Sequence, residues 1–205
     1  MKILCVSDTV APQLESTANL RRHYSDIELI ISCGDMKADY LEFIQTILNV
    51  PLLYVRGNHD EEYIQKPPGG DDLHQQLLIY QGLSLYGLEG CLRYNSSPIQ
   101  YTQSELDMQV IGAAPILLWN QLVRKGLDIL VTHAPPRGIH DLEDRPHQGF
   151  NGLLRFMDWY QPRYLLHGHV HTWDRRRVVR TQYKQTCIIN INPFTVLEIE
   201  PRRLS

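Results

Sequence analysis

Five short stretches set polar, chemically capable residues directly after apolar runs. They are SDTV with Asp8, CGD with Asp35, RGNHD with Asn58, His59 and Asp60, VTH with His133, and HGHVH with His167, His169 and His171. Each preceding run suits a buried strand, so each polar group falls at a strand's C-terminal end. In open parallel sheets those ends line one crevice, the usual place for a ligand. Carboxylates and imidazoles gathered in such a place need a counter-charge, because an ionised group buried without a partner is costly. Divalent metal ions supply one, and a set of Asp, Asn and His suits Mn, Fe, Co, Ni or Zn better than Ca or Mg. Gly34, Gly57 and Gly168 stand at the sharp exits, where positive φ or close backbone approach is often required. A lone GD or TH dipeptide is more often a turn or a packed core residue. The ordered set D…GD…GNHD…TH…GHxH is hard to obtain by chance.

The elements that must carry these residues can be read from the hydrophobic pattern. KILCVS, IELIISCGD and LLYVRGNHD read as strands, separated by helices over Glu15 to Tyr24 and Tyr40 to Leu48. Such alternation implies a parallel sheet flanked by helices. Pro67 to Asp72 is a loop, and LLIYQGLSLYGLEG reads as a hairpin turning at Gln81-Gly82. Thr102 to Lys125 has helical spacing with a break near Pro115. DILVTHAPP and RYLLHGHVH return to the strand pattern, with a helix from Gly149 to Tyr160 between them. The tail, RRVVRTQY, TCIINI and TVLEIE, reads as strands forming a second sheet by local pairing.

The motif set resembles that of the calcineurin-like metallophosphoesterases, over Asp8 to His171. THAPPRGIHD, HQGFNGLL and GHVH are similar to the small bacterial-type branch related to the cyclic-nucleotide phosphodiesterases. The resemblance implies one domain over 1–205 with an α/β fold, a four-layer α/β/β/α sandwich of two mixed sheets flanked by helices. It also implies two divalent ions. Asp35 would bridge them, Asn58, His133 and His169 would complete one site, and Asp8 and His171 would bind in the other. His59 would stand beside the substrate phosphate as general acid or charge stabiliser. Arg56 would add a bidentate phosphate contact, and Asp60 would orient the loop or His59. The implied reaction is hydrolysis of a phosphodiester or a small phosphomonoester, with nucleotides among the candidates. Metal-bound hydroxide would attack phosphorus in line, between ions about 3.5–4 Å apart.

The sequence departs from the family pattern at one point. Where the first motif ordinarily reads Asp-x-His, this chain has Asp8-Thr9-Val10. An isopropyl group cannot ligate a metal, so the first site keeps Asp8, Asp35 and His171. Three protein ligands suffice for catalytic zinc, but weaker binding is expected. The same change motivates an alternative, a weak or inactive phosphoesterase fold kept as a binding or scaffold module, as in the similar retromer subunit.

Composition excludes several other classes. At 205 residues, with 43% hydrophobic and 21% charged residues, the chain suits one sizeable core. A net charge of -3 gives no reason to expect a nucleic-acid partner, and Arg175 to Arg177 with Arg180 reads as a solvated strand edge. No run approaches the roughly 18 apolar residues of a membrane span. The N-terminus has no signal-peptide pattern, so a cytoplasmic protein is expected. The four dispersed cysteines read as buried thiols. His167 reads as a strand-packed residue, His140 and His147 as loop residues near the crevice mouth, and His23 and His74 as surface residues. Phe156, Trp159 and Tyr160 have helical spacing that suits a core. The apolar stretch IGAAPILLWNQL suits either a core or a dimer surface, which leaves a homo-oligomer open.

Overall fold

The computed structural model describes residues 1–171 and 178–202. Along the chain run β1 (Lys2–Val6), α1 (Thr17–His23), β2 (Leu29–Ser32), α2 (Ala38–Leu48), β3 (Leu52–Tyr54) and β4 (Asp71–Asp72). Next come β5 (Leu77–Tyr80), β6 (Leu83–Leu88), β7 (Cys91–Leu92), β8 (Gln100–Tyr101), α3 (Gln103–Gly112) and α4 (Ala114–Arg124). The chain continues through β9 (Ile129–Thr132), α5 (Asn151–Tyr160) and β10 (Tyr164–His167), then β11 (Arg180–Tyr183), β12 (Thr186–Asn190) and β13 (Phe194–Glu198).

Two mixed sheets result. One has the order β13-β1-β2-β3-β4, and the other β11-β12-β10-β9-β6-β5. β1 to β4 pair in parallel, as do β6, β9, β10 and β12, while β13, β11 and β5 are antiparallel edges. Period-two alternation explains why continuous apolar runs are needed, since strands covered on both faces must be apolar on both. Ile3, Cys5, Leu29, Ile31 and Leu53 point between the sheets, where they meet Leu85, Ile129, Val131 and Leu166. Leu4, Val6, Ile30, Leu52 and Tyr54 point outward, onto Leu20, Leu41 and Ile44 of α1 and α2. On the far side, Leu130 and Leu165 meet Leu106, Val110, Leu117 and Phe156 from α3, α4 and α5. The layers are therefore helix, sheet, sheet, helix.

Local signals place several boundaries. Gln81 (φ 45°) and Gly82 (φ 91°) make the β5–β6 turn. Thr102 and Glu105 form a reciprocal capping box that starts α3. The break expected near Pro115 falls at Ala113, because the proline ring removes an N–H and sits in the first turn of α4. The tail corrects its expectation. β12 and β11 join the second sheet, but β13 crosses to the first and pairs antiparallel with β1. There it covers a row of backbone groups that would otherwise be an open edge. The basic run at Arg175 to Arg177 lies outside the described residues. Cys5, Cys33 and Cys91 are buried and Cys187 is half-buried, all four free. Among the described residues no helix is long and apolar enough to cross a membrane.

Ile31 is fully buried between the sheets. Ile31→Ala is expected to cost about 2–5 kcal/mol, read from the midpoint of urea unfolding. A loss below about 1 kcal/mol would contradict the packing described.

Candidate metal centre

The site lies where both sheets end on the same side. β1, β2 and β3 deliver Asp8, Asp35 and the 57–60 loop from one sheet, and β9 and β10 deliver His133 and His169 from the other. Asp8, Asp35 and His169 have φ of 62°, 55° and 67°. Non-glycine residues seldom occupy that left-handed region, and where they do, surrounding contacts must hold them.

Those contacts are specific. Both carboxylate oxygens of Asp8 accept the main-chain N–H of His169, at 3.0 and 2.9 Å, tying the first sheet to the second. Asp35 Oδ1 accepts the His59 N–H at 2.8 Å. Asp60, 3% exposed, receives the N–H groups of Gly57 and Asp35 on one oxygen, each at 2.7 Å. It therefore joins the exits of β2 and β3, and burial raises its pKa to about 7. Such close approach leaves no room for side chains. A Cβ on Gly168 would lie 1.9 Å from Ser7 Oγ, and one on Gly57 would lie 2.0 Å from Asp35 Oδ1.

At the centre, His133 is fully buried with Nδ1 2.8 Å from the Cys33 carbonyl. A carbonyl can only accept, so Nδ1 carries a proton and Nε2 faces the site. Asn58 Oδ1 stands 3.1 Å from Nε2, and Asp35 Oδ2 3.3 Å. Ligand atoms of Asp35, His133 and His169 all lie within 4.8 Å of one another. His169 Nε2 donates to the Pro146 carbonyl at 2.7 Å, so its lone pair is on Nδ1. Burial, reinforced by the charge of His133, lowers His169 to about 3 and keeps it neutral.

The charges follow from this packing. Burial alone would raise Asp35, but the His133 imidazole and the His59 N–H hold it well below the ordinary carboxylate range. Burial opposes charge on His133, yet Asp35 and Asp8 outweigh it and raise His133 to about 9. Burial raises Asp8 as well. Acceptors facing one another in this way demand positive charge, either a second proton on His133 or a cation. The donor set, carboxylate, amide oxygen and neutral imidazole, fits a divalent metal.

The structure thus brings together Asp8, Asp35, Asn58, His133 and His169. His59 stands exposed at the rim. His171, half-buried, has Nδ1 3.0 Å from Asn192 Nδ2. Val10 is 36% exposed. Arg56 is used differently from the sequence expectation. Its Nε and a terminal nitrogen make a bidentate pair with buried Glu89, at 2.6 and 3.0 Å, and Tyr101 donates to the same carboxylate at 2.6 Å. The fork that a phosphate would take is occupied by Glu89. His74 is no surface residue either, since it takes the Glu89 N–H at 3.2 Å.

Other contributors carry no motif. Tyr94 Oη accepts from Asn58 Nδ2 at 3.1 Å, turning the amide oxygen toward His133. His147 packs on His169, with ring centroids 5.1 Å apart. His140 reaches inward, its Nδ1 3.0 Å from Nε2 of fully buried His167.

A model of the calcineurin-like phosphoesterases matches residues 1–173. The chain belongs to this family. The family's enzymes are metal-dependent hydrolases of phosphate esters, and this chain has their fold together with a group of residues able to hold a metal ion. A comparison with curated proteins finds no match. Among solved structures, one crystal structure aligns with a TM-score of 0.68 at 14% identity, over 96% of this chain and 94% of that one. TT1561 of Thermus thermophilus aligns at 0.59 and 16%, over 92% and 88%. A novel archaeal phosphodiesterase aligns at 0.45 and 15%, over 97% and 93%. At such identities the first two likenesses speak to the fold alone.

Two predictions concern the centre's support. Asp60→Ala deprives the buried Gly57 N–H and the part-buried Asp35 N–H of their acceptor, and the loss at Gly57 alone is expected to cost about 1–3 kcal/mol. Asp60→Asn keeps an amide oxygen there and should cost far less, as denaturant midpoints will show. If the two variants are equally unstable, the acceptor role is wrong. The second prediction concerns pH. Burial pushes His167 down to about 3 and also lowers His140, against about 6.5 unfolded. The unfolded chain therefore binds more protons between these values. The two groups cost nothing above about pH 7, and stability falls as pH drops from about 6.5 toward 3. With chelator present, His167→Asn should show a shallower acid loss than the parent protein. An unchanged slope would rule out His167 as its source.

Proposed function

We propose that this phosphoesterase hydrolyses a phosphodiester or a small phosphomonoester, nucleotides among them, with a divalent cation held by Asp35, Asn58, His133 and His169. The observation that supports this reading is the convergence of Asn58 Oδ1 and Asp35 Oδ2 on His133 Nε2, at 3.1 and 3.3 Å. Mixed nitrogen and oxygen donors favour Mn, Fe, Co, Ni or Zn over Ca or Mg. Among the described residues the ligand atoms that lie together are those of Asp35, His133 and His169; a second ion would fall to Asp8, Asp35 and His171. Val10 leaves that set one imidazole short of the family pattern, so its ion should be the first lost on dilution.

A bound divalent ion supplies Lewis-acid stabilisation of the charge developing on phosphoryl oxygens and activation of water. The remaining work falls to this chain. Asp35 fixes the His59 main chain, and the exposed imidazole would give a proton to the leaving-group oxygen. Asp60 holds the Asp35 main chain, and Tyr94 holds the Asn58 amide. With Arg56 engaged by Glu89, the substrate phosphate is left to His59 and the cation.

Chelation is expected to abolish hydrolysis of bis-p-nitrophenyl phosphate and p-nitrophenyl phosphate, and Mn or Zn to restore it. His59→Ala should lower kcat by about 10²–10⁴ while leaving metal content unchanged. Metal at about a hundred times its Kd should stabilise the fold by about 2.7 kcal/mol, and His133→Ala should remove that gain. If the protein takes up metal yet cleaves neither reporter nor any of a panel of nucleotides, the fold serves as a scaffold and the proposal fails.

A further inference from the structure

α3 and α4 are joined by Ala113 alone, itself right-handed helical with φ -72° and ψ -16°, so helical spacing carries through the junction. One face of this pair, with Leu106, Val110, Ala113 and Leu117, packs into the core. The opposite face holds Met108, Ile111, Leu118, Trp119, Leu122 and Val123 in solvent, with Leu122 86%, Met108 66% and Trp119 56% exposed. Met108, Ile111, Pro115, Leu118 and Leu122 recur at alternating spacings of three and four residues, the pattern of a coiled-coil seam. A continuous apolar face of this kind marks an interaction surface.

Charge selects the occupant. No charged residue occurs from Gln109 to Val123, so the face offers nothing to a nucleic acid, an anionic headgroup or a charged peptide. Acids precede it, Glu105 and Asp107, in partly exposed ion pairs with Arg93 and Arg155 that a partner's bases would share, and bases follow it, Lys125 and Arg124, the latter donating to the Gly82 carbonyl. An antiparallel copy of the same segment would match both features, apolar against apolar and acidic end against basic end.

We propose that this face pairs with itself in a second copy of the chain, as an isologous two-fold dimer. The axis passes between Pro115 and Ile116. In that register Asp107 lies opposite Arg124, Met108 opposite Val123, and Gly112 opposite Trp119. Gly112 is exposed, and a Cβ added there would meet nothing within 4 Å. Nothing inside the chain needs a glycine at that position. Opposite an indole, it provides the hole into which the ring fits.

Light scattering and sedimentation velocity on the full chain at micromolar concentration test this. The parent protein should show twice the chain mass. Leu122→Glu should return it to the chain mass with helix content unchanged, since Leu122 makes few contacts to lose. Gly112→Trp, which fills the hole without touching its own chain, should do the same. A parent protein that is monomeric throughout overturns the proposal, as does one that stays monomeric and sediments with phosphatidylcholine vesicles. A Leu122→Glu protein that remains dimeric rules out this face, and a Gly112→Trp protein that remains dimeric rules out this register.

Discussion

Asn58 Oδ1 and Asp35 Oδ2 both face Nε2 of a fully buried His133, and that arrangement holds only where positive charge sits among them. In a low-dielectric interior, acceptors aimed at one another repel strongly unless a proton or a metal ion lies between. Everything around the centre serves to keep them there. Asp8 clamps the His169 main chain, Asp60 ties the exits of β2 and β3, and the Pro146 carbonyl fixes the tautomer of His169. Holding imidazoles and carboxylates by their far sides is how proteins orient metal ligands and tune their basicity. Three site residues accept left-handed φ as part of the same arrangement.

The fold makes this convergence possible by bringing the ends of two sheets to one place. A single parallel sheet would offer a row of strand ends. Two facing sheets offer opposed rows, so Asp35 and His133 approach from opposite sides of the apolar layer that Ile31 and Val131 help to fill. The cost is crowding, which the glycines relieve. Gly168 lets the loop after β10 lie against Ser7 and Asp8, and Gly57 lets the loop after β3 lie against Asp35. The rigidity of the centre and the intolerance of these two positions have one origin.

What the sequence made legible follows from chain locality. Strands covered on both faces must be continuously apolar, so their ends, and the residues just after them, could be found directly. Asp35, Asn58, His133 and His169 can be read that way, and their side chains lie together, while Asp8 reaches them through the His169 main chain. The supporting residues act from a distance in sequence, and nothing near them announces it. Tyr94 sits in the loop between β7 and β8, Glu89 follows β6, and His147 lies in a polar loop. Arg56 shows the converse error. A guanidinium beside a metal motif suggests a phosphate ligand, but a buried carboxylate many residues away had prior claim to its fork. The placement of β13 was illegible for the same reason, because its partner, β1, lies at the other end of the chain.

Val10 stands where the resemblance leads one to expect a second imidazole beside Asp8. The set around His133 has ligands that other residues already hold in place, each with its far side bonded: His133 to Cys33, Asn58 to Tyr94, His169 to Pro146. The proposed set around Asp8 is also held, His171 by Asn192, but it offers fewer protein ligands. Its carboxylate shares both oxygens with a main-chain N–H, and the next apolar residue along, Val10, is turned partly to solvent. Fewer protein ligands hold an ion less tightly. If a second ion binds on the proposed Asp8 set, the His133 set should therefore fill first. The main chain of His59 is fixed through Asp35, a member of that set.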